Sequence, residues 1–137
     1  MDHIRVSIEA EVYPTEDEAK LECAIRNMFP LITLNLHKDT KALMKISGAS
    51  EGLDVLRKLR ELLRQDRIRS AARSIMFSSI TGTSLNVDLN KQAAYVGHAS
   101  FVTDPGEPPL GSIRLHLECE APHTIVEWLV QADSGRV

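Results

Sequence analysis

The sequence predicts an α+β fold, a mostly antiparallel sheet with helices on one face, and three observations lead there. Two segments at opposite ends of the 137 residues, "IRVSIEAE" (Ile4 to Glu11) and "IRLHLECE" (Ile113 to Glu120), share four of eight positions and the same alternation of apolar and polar residues. Period two with one apolar face marks a strand covered on one side only. Each copy feeds directly into a stretch with helical apolar spacing, and each such helix must cover apolar sheet surface. Finally, the alternating runs between them are joined by short turn-like stretches around Lys38-Asp39 and in "SSITGTS". The shared physical task of the two end strands is enough to select the same pattern, without invoking duplication.

Taken in order, the first strand carries Ile4, Val6, Ile8, Ala10 and Val12 on one face and Arg5, Ser7, Glu9 and Glu11 on the other. "YPTEDEAK" then starts a helix: Thr15 is placed to cap free backbone N–H groups and Glu18 to complete a capping box. Glu16 and Asp17 suit the positive end of the helix dipole. Leu21, Ala24, Ile25, Met28 and Phe29 follow at helical spacing and Pro30 ends the run. Cys23 is expected on the inward side of this helix. "LITLNLHKDTKALMKIS" predicts a hairpin, with Ile32, Leu34 and Leu36 on one arm and Ala42, Met44 and Ile46 on the other.

Ser50 is expected to cap a second helix, whose stripe is Val55, Leu56, Leu59, Leu62 and Leu63. The step to Ile68 breaks helical phase, so a third helix is expected to restart after Asp66 as its cap, with Ile68, Ala71, Ala72, Ile75 and Met76 inward. Leu85, Val87 and Leu89 give another strand. "KQAAYVGHASF" predicts one helical turn from Lys91 and then a strand around Val96 to Val102, and "TDPGEPPLG" is a loop. Ile113, Leu115, Leu117 and Cys119 form the buried side of the last strand. Pro122 fits the first position of a final helix, with Ile125, Trp128, Leu129 and Ala132 inward and Gly135 past its end.

The length fits a single domain, residues 1–137, and the mixture of 43% hydrophobic and 26% charged residues is that of a globular protein. Such a chain buries about two-thirds of its unfolded surface, so it needs no metal or disulfide staple. The two cysteines are therefore read as reduced. No leader-like or membrane-spanning pattern is present, which predicts a cytoplasmic protein.

The formal net charge of −3 is unevenly spread. Residues 1–30 and 74–137 each sum to −4 and residues 31–56 to zero, whereas residues 57–73 sum to +5. Those seventeen residues hold Arg57, Lys58, Arg60, Arg64, Arg67, Arg69 and Arg73 against Glu61 and Asp66. An anionic partner should meet this segment.

Four stretches, "YPTEDEAKLECAIRNMFP", "RELLRQDRIRSAAR", "LNKQAAYVGHASF" and "GSIRLHLECEAPHTIVEWL", occur in that order over nearly the whole chain. As an ordered set they resemble an archaeal family of single-domain proteins with no assigned reaction. The resemblance implies a fold similar to the 5S-rRNA-binding large-subunit ribosomal protein, and a homodimer. It implies no catalytic residues, and RNA binding through likeness of fold.

The residues themselves hold little chemistry. The five histidines form no HExxH pattern and the cysteines no Cys-x-x-Cys. His116, Glu118 and His123 can be assembled into a ligand set on paper, but outward polar residues on a half-exposed strand are more often solvated. Phosphate-cradling glycine loops are missing, and neither Cys23, Cys119, Ser78 nor Ser79 has the setting of a nucleophile. No enzyme, cofactor, metal or small-molecule substrate is expected.

The basic segment is the surviving candidate. Arg57, Arg60 and Arg64 share the helix face opposite Leu56, Leu59 and Leu63, and Arg67, Arg69 and Arg73 carry the charge onward. Guanidinium groups suit phosphate through their planar fork of donors. Aromatics total only 4%, so backbone and shape contacts to structured RNA are expected rather than base stacking. The reading is a non-enzymatic RNA-binding or ribosome-associated homodimer using Arg57, Arg60, Arg64, Arg67 and Arg73, with Lys58 and Arg69 as helpers. The rival is a protein-interaction or assembly module acting as a homodimer without nucleic acid.

Overall fold

In the computed structural model, residues 3–38, 44–104 and 111–131 are described. The strands are β1 (Arg5–Val12), β2 (Leu34–Lys38), β3 (Met44–Glu51), β4 (Ile80–Thr81), β5 (Ser84–Leu89), β6 (Phe101–Val102) and β7 (Ile113–Glu118). The helices are α1 (Glu18–Met28), α2 (Arg57–Gln65), α3 (Arg69–Ser78), α4 (Lys91–Tyr95) and α5 (Pro122–Val130), with one 3₁₀ turn, Leu53–Leu56, before α2. All strand pairs are antiparallel, in the order β2-β3-β1-β7-β5-β4 with β6 on β5. This is the predicted α+β class.

The two similar end strands lie side by side at the centre of the sheet. Ser7 opposes His116 and Val6 opposes Leu117. Ser7 and His116 are also the matching positions of the two octapeptides, so a local two-fold axis passes between them. Outward from that seam, β1 pairs with the β2–β3 hairpin and β7 with the β4–β5 hairpin.

One face of the sheet is apolar because β1, β5 and β7 keep the alternation. Val6, Ile8, Leu85, Leu89, Ile113, Leu115 and Leu117 are all buried against the helices. The stripe Val55, Leu56, Leu59, Leu62 and Leu63 packs onto that face in one continuous core with Ile25, Met28, Phe29, Ile125 and Leu129. The opposite face is open and polar, a shallow concavity of about 560 Å³ lined by Ser7, Glu9, Asn35, Ser47, Asn86, Arg114 and His116 among others.

Several local expectations are corrected. The cap of α1 is Asp17, whose carboxylate accepts from the Ala19 N–H at 2.9 Å, not Thr15. Glu16 instead reaches back to the Tyr13 N–H at 2.9 Å. Ser50 belongs to β3, opposite Val6, because strand pairing outcompetes capping there, and α2 is entered through Gly52 at φ 109° and the 3₁₀ turn. Ala71 is exposed, and so is Cys23, while Cys119 is buried as expected. The strand expected from Val96 shrinks to Phe101–Val102. The predicted turn at Asp39, Ala42, most of the proline-rich loop, Ala132 and Gly135 lie outside the described residues.

Two glycines are required by geometry. Gly82 (φ 61°) makes the two-residue turn between β4 and β5, a conformation that side chains resist. A Cβ on Gly48 would stand 2.5 Å from the Thr33 carbonyl oxygen and 2.6 Å from Ile32 Cγ2. The chain entering β2 crosses β3 there at a distance only glycine permits.

Candidate nucleic-acid interface

The basic segment forms a corner. α2 runs Arg57–Gln65, turns at Asp66 and Arg67, and continues as α3. Arg67 is the one non-glycine residue in the left-handed region (φ 59°) among the described residues. Asp66 ends α2 rather than capping α3. Its carboxylate accepts from the Ala99 N–H at 2.8 Å and faces His98 Nδ1 at 2.9 Å, tying the corner to the loop after α4. Burial pushes this carboxyl up, but the Ala99 and His98 contacts outweigh it and hold it below the usual carboxylate range.

Five of the segment's cations divide between carboxylate and carbonyl partners. Arg57 Nε donates to Asp54 Oδ1 at 2.6 Å, Lys58 stands 3.7 Å from Glu61, and Arg73 grips Glu127 with two donors at 3.1 and 3.4 Å. Arg60 and Arg69 instead donate to backbone carbonyls at the end of α5: Arg60 Nε to Trp128 at 2.9 Å, and Arg69 to Gln131 at 3.4 Å. Those carbonyls are the negative pole of the α5 dipole. The Arg60 guanidinium also lies 5.1 Å from the Trp128 ring centroid, and that of Arg73 4.7 Å from Phe77.

Carboxylates match Arg57, Lys58 and Arg73 in these contacts, and the carbonyl partners of Arg60 and Arg69 leave the positive charge of those two in place. Arg67 is exposed and has no partner among the described residues. Arg57, Arg60 and Arg64 converge with Glu61 and Gln131 around a surface hollow of about 200 Å³. The structure thus brings Arg57, Arg60 and Arg64 together, sets Arg67 at the adjoining corner, and ties Arg73 to α5.

The contribution of α5 was not legible in the sequence. Trp128 and Gln131 approach a segment more than sixty residues earlier in the chain. No local spacing signals such a contact.

The paper ligand set is separated by the sheet. His116, on the open face, has Nδ1 2.7 Å from Asn86 Oδ1 and Nε2 3.4 Å from Glu118. His123 stacks near Phe77 on the helix side, ring centroids 5.5 Å apart. Among the described residues no group of three or more His, Cys, Asp or Glu is arranged to hold a metal. Thr83 and Ser84 hydroxyls donate to Glu118, and with His116 they hold its carboxyl below the usual range. Ser78 and Ser79 donate to the Ile75 carbonyl. Glu9 lies between Lys45 (3.3 Å) and Arg114 (3.5 Å) on the open face. Among the described residues, no helix is long and apolar enough to cross a membrane.

A family model described as RNA binding matches residues 5–119, which include the whole basic corner. A UPF0201 protein of Sulfurisphaera tokodaii is 41% identical over 126 residues, covering 91% of this chain and 86% of the relative. One from Aeropyrum pernix is 37% identical over 129 residues, covering 92% and 84%. Among solved structures, a UPF0201 protein from Methanococcus jannaschii superposes with a TM-score of 0.81 at 32% identity, covering 92% of this chain and 98% of that one. A DUF54 protein from Methanothermobacter thermautotrophicus, at 23% identity and TM-score 0.60 over 93% and 96%, shares the fold. The chain belongs to the UPF0201 family of archaeal proteins.

Proposed function

We propose that this chain is a non-enzymatic, cytoplasmic RNA-binding protein that acts as a homodimer and holds the backbone of structured RNA on its basic corner. Arg57, Arg60, Arg64 and Arg67 make the phosphate contacts. Arg73 sits at the rim, partly engaged by Glu127, and Lys58 and Arg69 add to the field. The observation that carries this reading is that Arg57, Arg60 and Arg64 line one hollow in a protein whose net charge is −3. The match to an RNA-binding family model over residues 5–119 supports it. A fold similar to the 5S-rRNA-binding ribosomal protein, and a ribosomal location, belong to the same proposal and follow only from the family resemblance.

The test is a titration of labelled hairpin RNA at two salt concentrations, with an Arg57→Ala/Arg64→Ala variant alongside. Each lost phosphate contact should flatten the dependence of log affinity on log salt by about 0.7–0.9, so the pair should flatten it by about 1.5. Unchanged affinity in the variant, or no binding at low salt, overturns the proposal.

A second reading, an assembly module without nucleic acid, is favoured by the β2 end of the sheet. β2 pairs only with β3 among the described strands, and Leu36 and Leu31 beside it are 45% and 61% exposed. An open edge is a template for another strand. Light scattering on Leu36→Lys, with RNA binding measured in parallel, separates the two: RNA binding retained by the variant favours the first reading, and a loss of assembly in a protein that never binds RNA favours the second.

A further inference from the structure

Glu61 is an unexpected neighbour for three arginines. At about 100° per residue, Glu61 lies about 40° from Arg57 and 60° from Arg64 around α2, so it shares their face. It lines the same hollow as Arg57, Arg60 and Arg64. Its contact with Lys58 is 3.7 Å, an ion pair too long for a hydrogen bond, and its side chain is 53% exposed.

A bare polyanion on this surface is repelled by Glu61. A ligand that brings a phosphate and a hydroxyl together is not, because a carboxylate accepts from a hydroxyl in a short charge-assisted bond. RNA offers that pairing at every nucleotide, and DNA lacks the 2′-hydroxyl. Side chains three and four residues apart on a helix stand about 5–6 Å apart at their Cβ atoms, a span comparable to one nucleotide's phosphate and sugar.

Building on the RNA-binding reading above, we propose that Glu61 accepts the 2′-hydroxyl of a ribose whose phosphate lies on Arg57 and Arg64, making it the residue that selects RNA. In this arrangement the arginines supply affinity and the carboxylate supplies discrimination. The carboxylate lowers binding to any backbone lacking the donor. It raises binding to one that carries it.

The experiment uses the full chain with two labelled duplexes of one sequence, one of ordinary RNA and one with 2′-fluoro sugars. The fluoro duplex keeps the charge and the A-form and loses the donor. Wild type should bind the hydroxyl form about tenfold more tightly or better, the range of one hydrogen bond to a charged group. Glu61→Ala should bring the ratio near one while strengthening binding to the fluoro duplex. Glu61→Gln, which keeps an acceptor but not the charge, should fall between.

Equal binding of both duplexes by wild type overturns this role for Glu61 and leaves RNA binding standing. A preference that persists in Glu61→Ala, or a variant that strengthens both duplexes equally as expected of a mere partner for Lys58, also overturns it. Failure of wild type to bind either duplex at low salt overturns the RNA-binding reading itself.

Discussion

Replacing Lys91 by Met should cost about 3 kcal/mol, because it removes the cation from a nearly dry ion pair. Lys91 and Glu16 have side chains only 9% and 12% exposed, with Nζ 3.0 Å from Oε1 and 3.2 Å from Oε2. The same ammonium donates to the Glu11 carbonyl at 2.7 Å and faces the Tyr13 ring at 5.4 Å. It therefore joins the end of β1 and the start of α1 to α4. Without it, Glu16 keeps the Tyr13 N–H but loses its counter-charge, and the Glu11 carbonyl loses a donor. Breaking such a pair costs about 3–5 kcal/mol, and the bond Glu16 retains places this case at the lower end. For a chain of this length that corresponds to a melting temperature lower by about 10 °C.

Calorimetry at pH 7 measures this directly, and a second substitution isolates the cause. In Lys91→Met/Glu16→Gln the carboxylate becomes a neutral amide whose oxygen still accepts from Tyr13, so at least half of the lost stability should return. A single variant melting within about 2 °C of wild type, or a double variant melting below the single one, refutes the idea that an unmatched buried charge is the cost.

Three further outcomes are expected. Gly48→Ala should destabilise by about 1–3 kcal/mol in urea unfolding, since the added methyl meets the Thr33 carbonyl and Ile32 at the strand crossing. Leu63→Ala, at a fully buried site, should cost about 2–5 kcal/mol in the same assay. Asp66→Asn should be less stable than wild type at neutral pH. Because the Asp66 carboxyl is held below its ordinary value, its contribution is present above about pH 4 and is lost as pH falls through the folded value. The gap between wild type and Asp66→Asn should therefore narrow on acidification, as followed by thermal melts from pH 7 to 3, and a gap that widens contradicts the assignment.

What could be read in advance divides along physical lines. The apolar periods of β1, β5, β7, α1 and α2 report burial directly, and Val6, Leu59, Leu85 and Leu115 are buried as their spacing predicts. Caps are less legible because several hydroxyl and carboxylate residues compete within a few positions. Thr15, Glu16 and Asp17 are all plausible, and local geometry selects Asp17. Ser50 is decided by a partner strand over forty residues away. Alanine carries little signal of its own, which is why Ala71 was misplaced. The concentration of positive charge at residues 57–73 is visible in the sequence, but its division between a hollow and a clamp on α5 is set by tertiary contacts.

The central seam between β1 and β7 has a consequence for biosynthesis. Arg5 must find Glu118, so the middle of the sheet closes only after β7, more than a hundred residues later, has been made. Until then β1, already paired with β3 on one side, presents an open edge and an incompletely covered apolar face on the other. Such a long closure predicts slow, all-or-none maturation, and a premature stop before residue 113 should yield insoluble product rather than a smaller folded unit.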